Sequence, residues 1–359
     1  MITKPTLLLD EIKCKENINK MFSKAQFYGL DFRPHFKTHQ SLEIGKWFKE
    51  KGVDKITVSS VTMAEYFAVD WNDITIAFPV NILEINKINA LAEKINLNLL
   101  VESEGSIEFL SEKITSEIDV FIKIDVGYHR TGISPNEIQL IDKILQVIEG
   151  SQLINFSGFL GHAGQTYECK NKEEIRRVHK TSLEIMGKLK EKYKEQFPSL
   201  IISLGDTPSC SVAKNFTGVD EIRPGNFVFY DLTQNQIGSN DISQIAVALA
   251  CPIVAVHKNR SEIIIYGGGV HLSKERLEGE EGTIFGRVVE KKKSGWGNPI
   301  PKMYVKSLSQ EHGIISAPRD EIEKYKIGDY LLILPVHSCM VGNLMKDYCT
   351  LDGRMISKL

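Results

Sequence analysis

A chain of 359 residues with 25% charged and 42% hydrophobic side chains is long enough to bury one large core and a smaller one, and its composition is that of an ordinary soluble enzyme. Its 44 lysines and arginines stand against 46 aspartates and glutamates, for a net charge of −2; that balance gives no long-range attraction to nucleic acid or to an anionic membrane. Six cysteines (14, 169, 210, 251, 339 and 349) form no CxxC pair and read as free thiols, and with no apolar run of membrane-spanning length and no signal-peptide h-region the expected setting is the cytoplasm and the expected partner a small molecule.

In chain order, Thr6–Leu9 is a short apolar run, and Ile12, Ile18, Met21 and Phe22 then mark one face of a helix reaching about Tyr28. Strand-like segments follow near 32–37, 55–60, 74–80, 97–102, 119–126, 153–161, 200–205 and 219–223, with amphipathic stretches near 40–51, 62–69, 82–94, 104–114, 134–149 and 172–196 between them. Eight apolar strands alternating with helices describe a closed parallel (β/α)8 barrel of the TIM type. From about 245 the rhythm changes to strands near 245–256, 261–266, 283–289, 303–308 and 330–334, separated by Gly-rich turns, which reads as an all-β domain. The expected division is a barrel over 12–244 and a β domain over 245–359 joined by 1–11. The run Lys291-Lys292-Lys293 reads as a solvated loop.

Chemistry in such a barrel sits at the C-terminal ends of the strands, and phosphate binds after strands seven and eight. Lys37 ends the first strand in Arg33-Pro34-His35-Phe36-Lys37-Thr38-His39, where Pro34 stiffens the approach and Phe36 must bury. A buried or half-buried lysine with a lowered pKa is the side chain that forms Schiff bases with carbonyls. Strand seven ends in Gly205-Asp206-Thr207-Pro208-Ser209 and strand eight in Arg223-Pro224-Gly225-Asn226, two turns whose glycines let backbone N–H groups approach an anion. Arg130, after strand five, suits a phenolate or carboxylate, and His162 and Tyr167, after strand six, suit the face or edge of a planar ring. In the β domain His337 and Cys339 lie two residues apart on what reads as an extended segment; both then point to one side and can ligate one ion, zinc best, with open positions for water or substrate.

Taken together, Pro34-His35-Phe36-Lys37-Thr38-His39, His162-Ala163-Gly164-Gln165-Thr166-Tyr167, Gly205-Asp206-Thr207-Pro208, Arg223-Pro224-Gly225-Asn226 and His337-Ser338-Cys339 resemble the D-serine dehydratase and D-threonine aldolase family, a branch of the pyridoxal 5'-phosphate enzymes with the alanine racemase-like fold (fold type III). The resemblance implies that Lys37 is the Schiff-base lysine, that Thr207, Gly225 and Asn226 hold the cofactor phosphate, and that Arg130 approaches its phenolic oxygen. It further implies that Tyr167 contacts the cofactor, that His337 and Cys339 bind zinc or another divalent ion, and that the chain pairs as a homodimer. Eukaryotic D-serine dehydratases of this family carry a second cofactor-site tyrosine where this chain has Leu160. The His-x-Cys metal motif resembles the dehydratases, whereas the aldolases show His-x-Asp.

The expected reaction is therefore loss of the hydroxyl from a 3-hydroxy D-amino acid, with D-serine giving pyruvate and ammonia. Lys37 would serve as base and zinc would act on the leaving hydroxyl. Retro-aldol cleavage to glycine and an aldehyde is the alternative within the family. An amino-acid racemase or a non-catalytic pyridoxal phosphate carrier are the alternatives outside it.

Overall fold

The computed structural model describes residues 2–359. Strand β1 (Thr6–Leu9) opens the chain, and a helix, Glu11–Phe27, follows it. One compact unit is made of 19–37 and 45–225 and contains eight parallel strands: β2 (Asp31–Phe32), β3 (Lys55–Val58), β4 (Asp73–Pro79), β5 (Asn96–Val101), β6 (Ile118–Ile124), β7 (Ile154–Gly161), β8 (Ile201–Leu204) and β9 (Glu221–Ile222). They are hydrogen-bonded in the order β2-β9-β8-β7-β6-β5-β4-β3. The ring closes where Pro34 and Phe36, outside regular strand, meet Thr57 of β3: the Phe36 N–H donates to Thr57 O at 2.8 Å, and the Thr57 N–H to Pro34 O at 2.9 Å. This is a (β/α)8 barrel, nearly closed.

Helices cover the strands, so the strands are apolar on both faces; in β6 every residue but Asp119 is buried. The helix Lys172–Tyr193 shows how sequence dictates the cover. The Asn171 side chain accepts the N–H groups of Glu173 and Glu174, acidic residues occupy the first turn, and Lys190 and Lys192 the last, each favourable to the helix dipole. Its buried residues, Ile175, His179, Ser182, Met186, Leu189 and Tyr193, recur at helical spacing. The first barrel strand is shorter than the expected 32–37, because Pro34 cannot donate to a ladder and the chain enters turns from Phe36 to His39.

The second unit gathers residues up to Ile18, Thr38–Ile44 and Asn226–Leu359. Its strands are β1, β10 (Val247–His257), β11 (Glu262–Tyr266), β12 (Leu277–Gly279), β13 (Gly282–Ile284), β14 (Gly286–Lys291), β15 (Trp296–Leu308), β16 (His312–Ser316), β17 (Tyr330–Pro335), β18 (Asp347–Thr350) and β19 (Met355–Ser357). The main sheet runs β11-β16-β15-β14-β17-β10-β1-β18-β19, and β10 also pairs with β11, so six of its strands form a ring from which β1, β18 and β19 extend. The strand β10 serves both parts by shifting register between Ile253 and Ala255. The run 226–244, assigned to the barrel from sequence, clusters here: Ala246 N–H donates to Phe229 O at 2.8 Å and the Thr233 hydroxyl to Val336 O at 2.9 Å. Among the described residues no helix is long and apolar enough to cross a membrane.

Candidate active site

In the barrel unit, the residues singled out from sequence lie at the C-terminal ends of the strands. The backbone before Lys37 is tied on two sides, to Thr57 as above and through the His35 N–H to Pro224 O at 2.9 Å. Phe36 is fully buried among Phe48, Phe67 and Trp71, with ring centroids 5.0 to 5.1 Å away. Lys37 itself is exposed, which corrects the expectation of a buried or half-buried amine. What is rigid is the main chain that carries it.

After β7 the half-buried His162 places Nδ1 3.0 Å from the carbonyl of Gly205. Burial and the nearby Lys37 ammonium hold the ring well below the usual histidine range. The carbonyl can only accept, so Nδ1 carries the proton and Nε2 presents a lone pair. Tyr167 is half-buried in the turn Gly164–Glu168. After β6, Asp125 Oδ1 accepts the N–H groups of Gly127, Tyr128 and His129 at 2.9 to 3.0 Å, which shapes the loop that exposes Arg130, its guanidinium 4.9 Å from the Tyr128 ring centroid.

After β8, Asp206 caps the short helix Thr207–Val212, and Thr207 Oγ1 accepts the N–H of Gly225 at 3.3 Å. An added Cβ at Gly205 would stand 2.8 Å from the Arg223 nitrogen, and Ser209 Oγ is buried without a partner. A tight, glycine-lined turn with hydroxyl and N–H donors fits a phosphate group, and the exposed Lys37 amine fits a carbonyl, so pyridoxal phosphate suits the residues present. Asn226 belongs to the other unit. Its amide donates to Asp231 Oδ2 at 2.6 Å and lies 3.1 Å from Ser338 Oγ, so its side-chain donors are engaged. The donor left to it is the backbone N–H at the start of the turn Asn226–Val228.

Two cations in the barrel were not recognised from sequence. Lys123, on β6, is buried and donates to Ile124 O at 3.2 Å; burial, together with Arg223 and Arg130, lowers its ammonium to about 7 against the opposing pull of Asp125. Arg223 is buried too, lowered by burial to about 10. It donates to Ser203 Oγ at 2.7 Å and to Gly161 O at 2.6 Å. Ser203 in turn donates to Glu221 at 2.6 Å, Glu221 accepts from Arg33 at 2.6 Å, and Arg33 pairs with Asp73. A buried polar chain thus runs between the strands, satisfied at each link. The available signal was parity: Leu160 is level with Lys123 and with Ser203 in the parallel ladders, so all three face the same way, and Leu160 packs with Leu100 and Phe121 in the core.

In the second unit, His337 and Cys339 come together, though not on an extended segment: His337 is extended (φ −131°, ψ 104°), and Ser338 begins the helix Ser338–Leu344. Burial lowers the His337 pKa, but a hydrogen bond and charge from Cys339, with the carboxylates of Asp231 and Glu275, outweigh it and raise the imidazolium to about 9. Cys339 is half-buried, its sulfur 3.2 Å from the Thr38 hydroxyl and 3.5 Å from Asn226 Nδ2. An imidazole and a thiol close enough to share a proton are also close enough to share a divalent ion, and nitrogen with sulfur is a donor set zinc accepts. Among the described residues no group of three or more histidine, cysteine or acidic side chains could hold a metal, so these two would be its protein ligands.

Residues 9–232 match the alanine racemase N-terminal domain, and 246–351 the putative serine dehydratase domain. The D-serine dehydratase of Dictyostelium discoideum is 29% identical over 97% of this chain and 92% of its own length. The D-threo-3-hydroxyaspartate dehydratase of Delftia sp. strain HT23 is 26% identical over 97% of this chain and 94% of that protein. Among solved structures, a D-threo-3-hydroxyaspartate dehydratase variant with a cysteine replaced by alanine, in the metal-free form, superposes with TM-score 0.92 at 24% identity, covering all of this chain and 98% of that one. A second variant replaces a histidine two positions earlier and superposes at 0.91, again at 24% identity, over all of this chain and 95% of that one. With the barrel matched end to end and the β domain matched by the dehydratase domain, the chain belongs to the D-serine dehydratase and D-threonine aldolase family of pyridoxal phosphate-dependent lyases, built on the alanine racemase-like fold.

Proposed function

We propose that this chain is a zinc-assisted dehydratase of 3-hydroxy D-amino acids, D-serine first among them, yielding the keto acid and ammonia. The observation that carries the reading is the His337–Cys339 pair, sulfur included, at the start of the helix Ser338–Leu344. The similarity to D-serine dehydratase along nearly the whole length supports it. So do the two solved variants of the hydroxyaspartate dehydratase, which differ at a histidine and a cysteine in the same spacing. In this reading the enzyme is cytoplasmic and works as a homodimer, which light scattering of the purified protein tests.

Pyridoxal phosphate, when bound, supplies a carbonyl for amines and a ring that accepts the electron pair left at Cα. Thr207 and Gly225 would hold its phosphate, with Arg130 and Tyr167 beside the ring. Lys37 Nζ would hold the cofactor's carbonyl carbon and would take the proton from Cα. The fixed main chain under it limits the directions from which that proton can be taken. Neutral His162 accepts a hydrogen bond at Nε2 without adding a charge. His337 and Cys339 would hold zinc, whose Lewis acidity favours departure of a hydroxyl.

A second reading has a substrate with an extra carboxylate, D-threo-3-hydroxyaspartate. The similarity to the D-threo-3-hydroxyaspartate dehydratase along nearly the whole length, and Leu160 in place of the tyrosine expected of a eukaryotic D-serine dehydratase, favour it. Incubating the enzyme with D-serine, D-threonine and D-threo-3-hydroxyaspartate, with and without EDTA, tests the proposal. Keto acid should form and fall on chelation; glycine as main product would replace dehydration by aldol cleavage, and activity indifferent to EDTA would remove the metal. Lys37→Ala should lose the absorbance of lysine-linked cofactor and at least roughly 10²–10⁴-fold in kcat; retention of that band would displace Lys37 from its role.

A further inference from the structure

Resting on the metal reading above, we propose that Asp231 is the positioning residue of the His337/Cys339 pair, fixing its geometry through Ser338 between the two donors. Asp231 is 1% exposed, and among the described residues no lysine or arginine forms an ion pair with it. A carboxylate so buried has to be stabilised by hydrogen bonds alone. Oδ1 accepts the Gln234 N–H at 2.9 Å and caps the helix Leu232–Gln236. Serine, asparagine or threonine would fill that part equally well.

Oδ2 does something a cap does not require. It accepts the Ser338 N–H at 2.9 Å and the Asn226 amide at 2.6 Å, and it lies 3.3 Å from the Ser338 hydroxyl. Two residues further on, the Thr233 N–H and hydroxyl donate to Val336 O at 3.2 and 2.9 Å. The turn Asp231–Thr233 therefore grips the main chain on both flanks of His337, at the carbonyl before it and the N–H after it. With both flanks held, the backbone angles of His337 are determined, and so is the direction in which its ring leaves the chain. Cys339 follows one residue after the second grip. Its sulfur is 3.5 Å from the Asn226 nitrogen that Asp231 also holds, so one carboxylate orients both metal donors. Its charge adds attraction for a divalent ion. Partners of this kind change metal affinity by about 10–100-fold when removed.

The test measures zinc affinity by chelator competition and the thiolate-to-metal absorption of the cobalt(II)-loaded protein, in wild type, Asp231→Asn and Asp231→Ser. Asn keeps the cap acceptor but turns an NH2 group toward the Ser338 N–H; Ser keeps the cap and removes the second arm. The expected result is zinc affinity lowered about 10–100-fold and a weakened cobalt–thiolate band, with the lysine-linked cofactor absorbance intact. If wild type itself binds neither zinc nor cobalt, the metal reading fails and this inference goes with it. If wild type binds and a folded variant binds equally tightly with an unchanged cobalt spectrum, the positioning role is overturned while the metal reading stands. Should the Asn variant not fold, the Ser variant decides on the same criteria.

Discussion

Asp206 is 3% exposed, with Oδ1 accepting the Ser209 N–H at 2.7 Å and Oδ2 buried without a partner. Burial raises its carboxyl from 3.8 to about 6, a difference corresponding to about 3 kcal/mol. Because the folded value lies above the unfolded one, the group favours folding fully below pH 3.8, and that advantage is lost as pH rises through about 6. Asp206→Asn keeps a capping acceptor and removes the ionisation. Thermal melts of the cofactor-free protein should therefore show the variant gaining on wild type as pH rises from about 4, with the gap levelling off above about 7. A gap constant across that range would mean Asp206 does not titrate there. Lys123 has the same physical origin in burial with the opposite charge, and neither residue announced itself in the sequence: a lysine in an apolar strand reads as an exposed position until its neighbours across the ladder are known.

Strands and turns were legible because their signals are local. Apolar runs separated by helical spacing located the barrel strands, and the glycine-containing turns at 205–209 and 223–226 stood where a barrel binds anions. What was not legible depended on partners far along the chain. The link from Arg33 through Glu221 and Ser203 to Arg223 joins residues nearly 200 positions apart, and the helical start at Ser338 is held by Asp231, not by its neighbours. A second such feature is the bulge in β7. Val120 is level with Phe156 and Phe121 with Gly158, leaving Ser157 extra. Gly158 takes φ +143°, and a Cβ there would lie 2.0 Å from Ile201 O. Only glycine permits that approach of two backbones, and the bulge sets the phase that brings His162 to the strand end. Gly158→Ala should destabilise the protein by at least about 2 kcal/mol, read as a lower urea midpoint. A variant with an unchanged midpoint would show that β7 can slide without loss.

Each compact unit is assembled from separated pieces of chain, and the β sheet depends on its earliest one. β1 pairs antiparallel with β10, Thr6 level with Ala250, and parallel with β18, Leu8 level with Cys349. A fragment comprising 226–359 would lack the strand between these two and expose the ladder edges of both, a template for aggregation. Expressed alone it should be insoluble, and co-expression with 1–225 should restore soluble, folded material; a soluble fragment with native far-UV circular dichroism would refute this. During synthesis the same pairing imposes a waiting time. About 240 residues separate Thr6 from Ala250, so at ribosomal speed β1 stays without its partner for tens of seconds. Its Leu7-Leu8-Leu9 core is bracketed by Lys4-Pro5 and Asp10, residues that discourage premature strand pairing. The first strand made is thus among the last to be used, and the nascent chain carries its own guards until the sheet arrives.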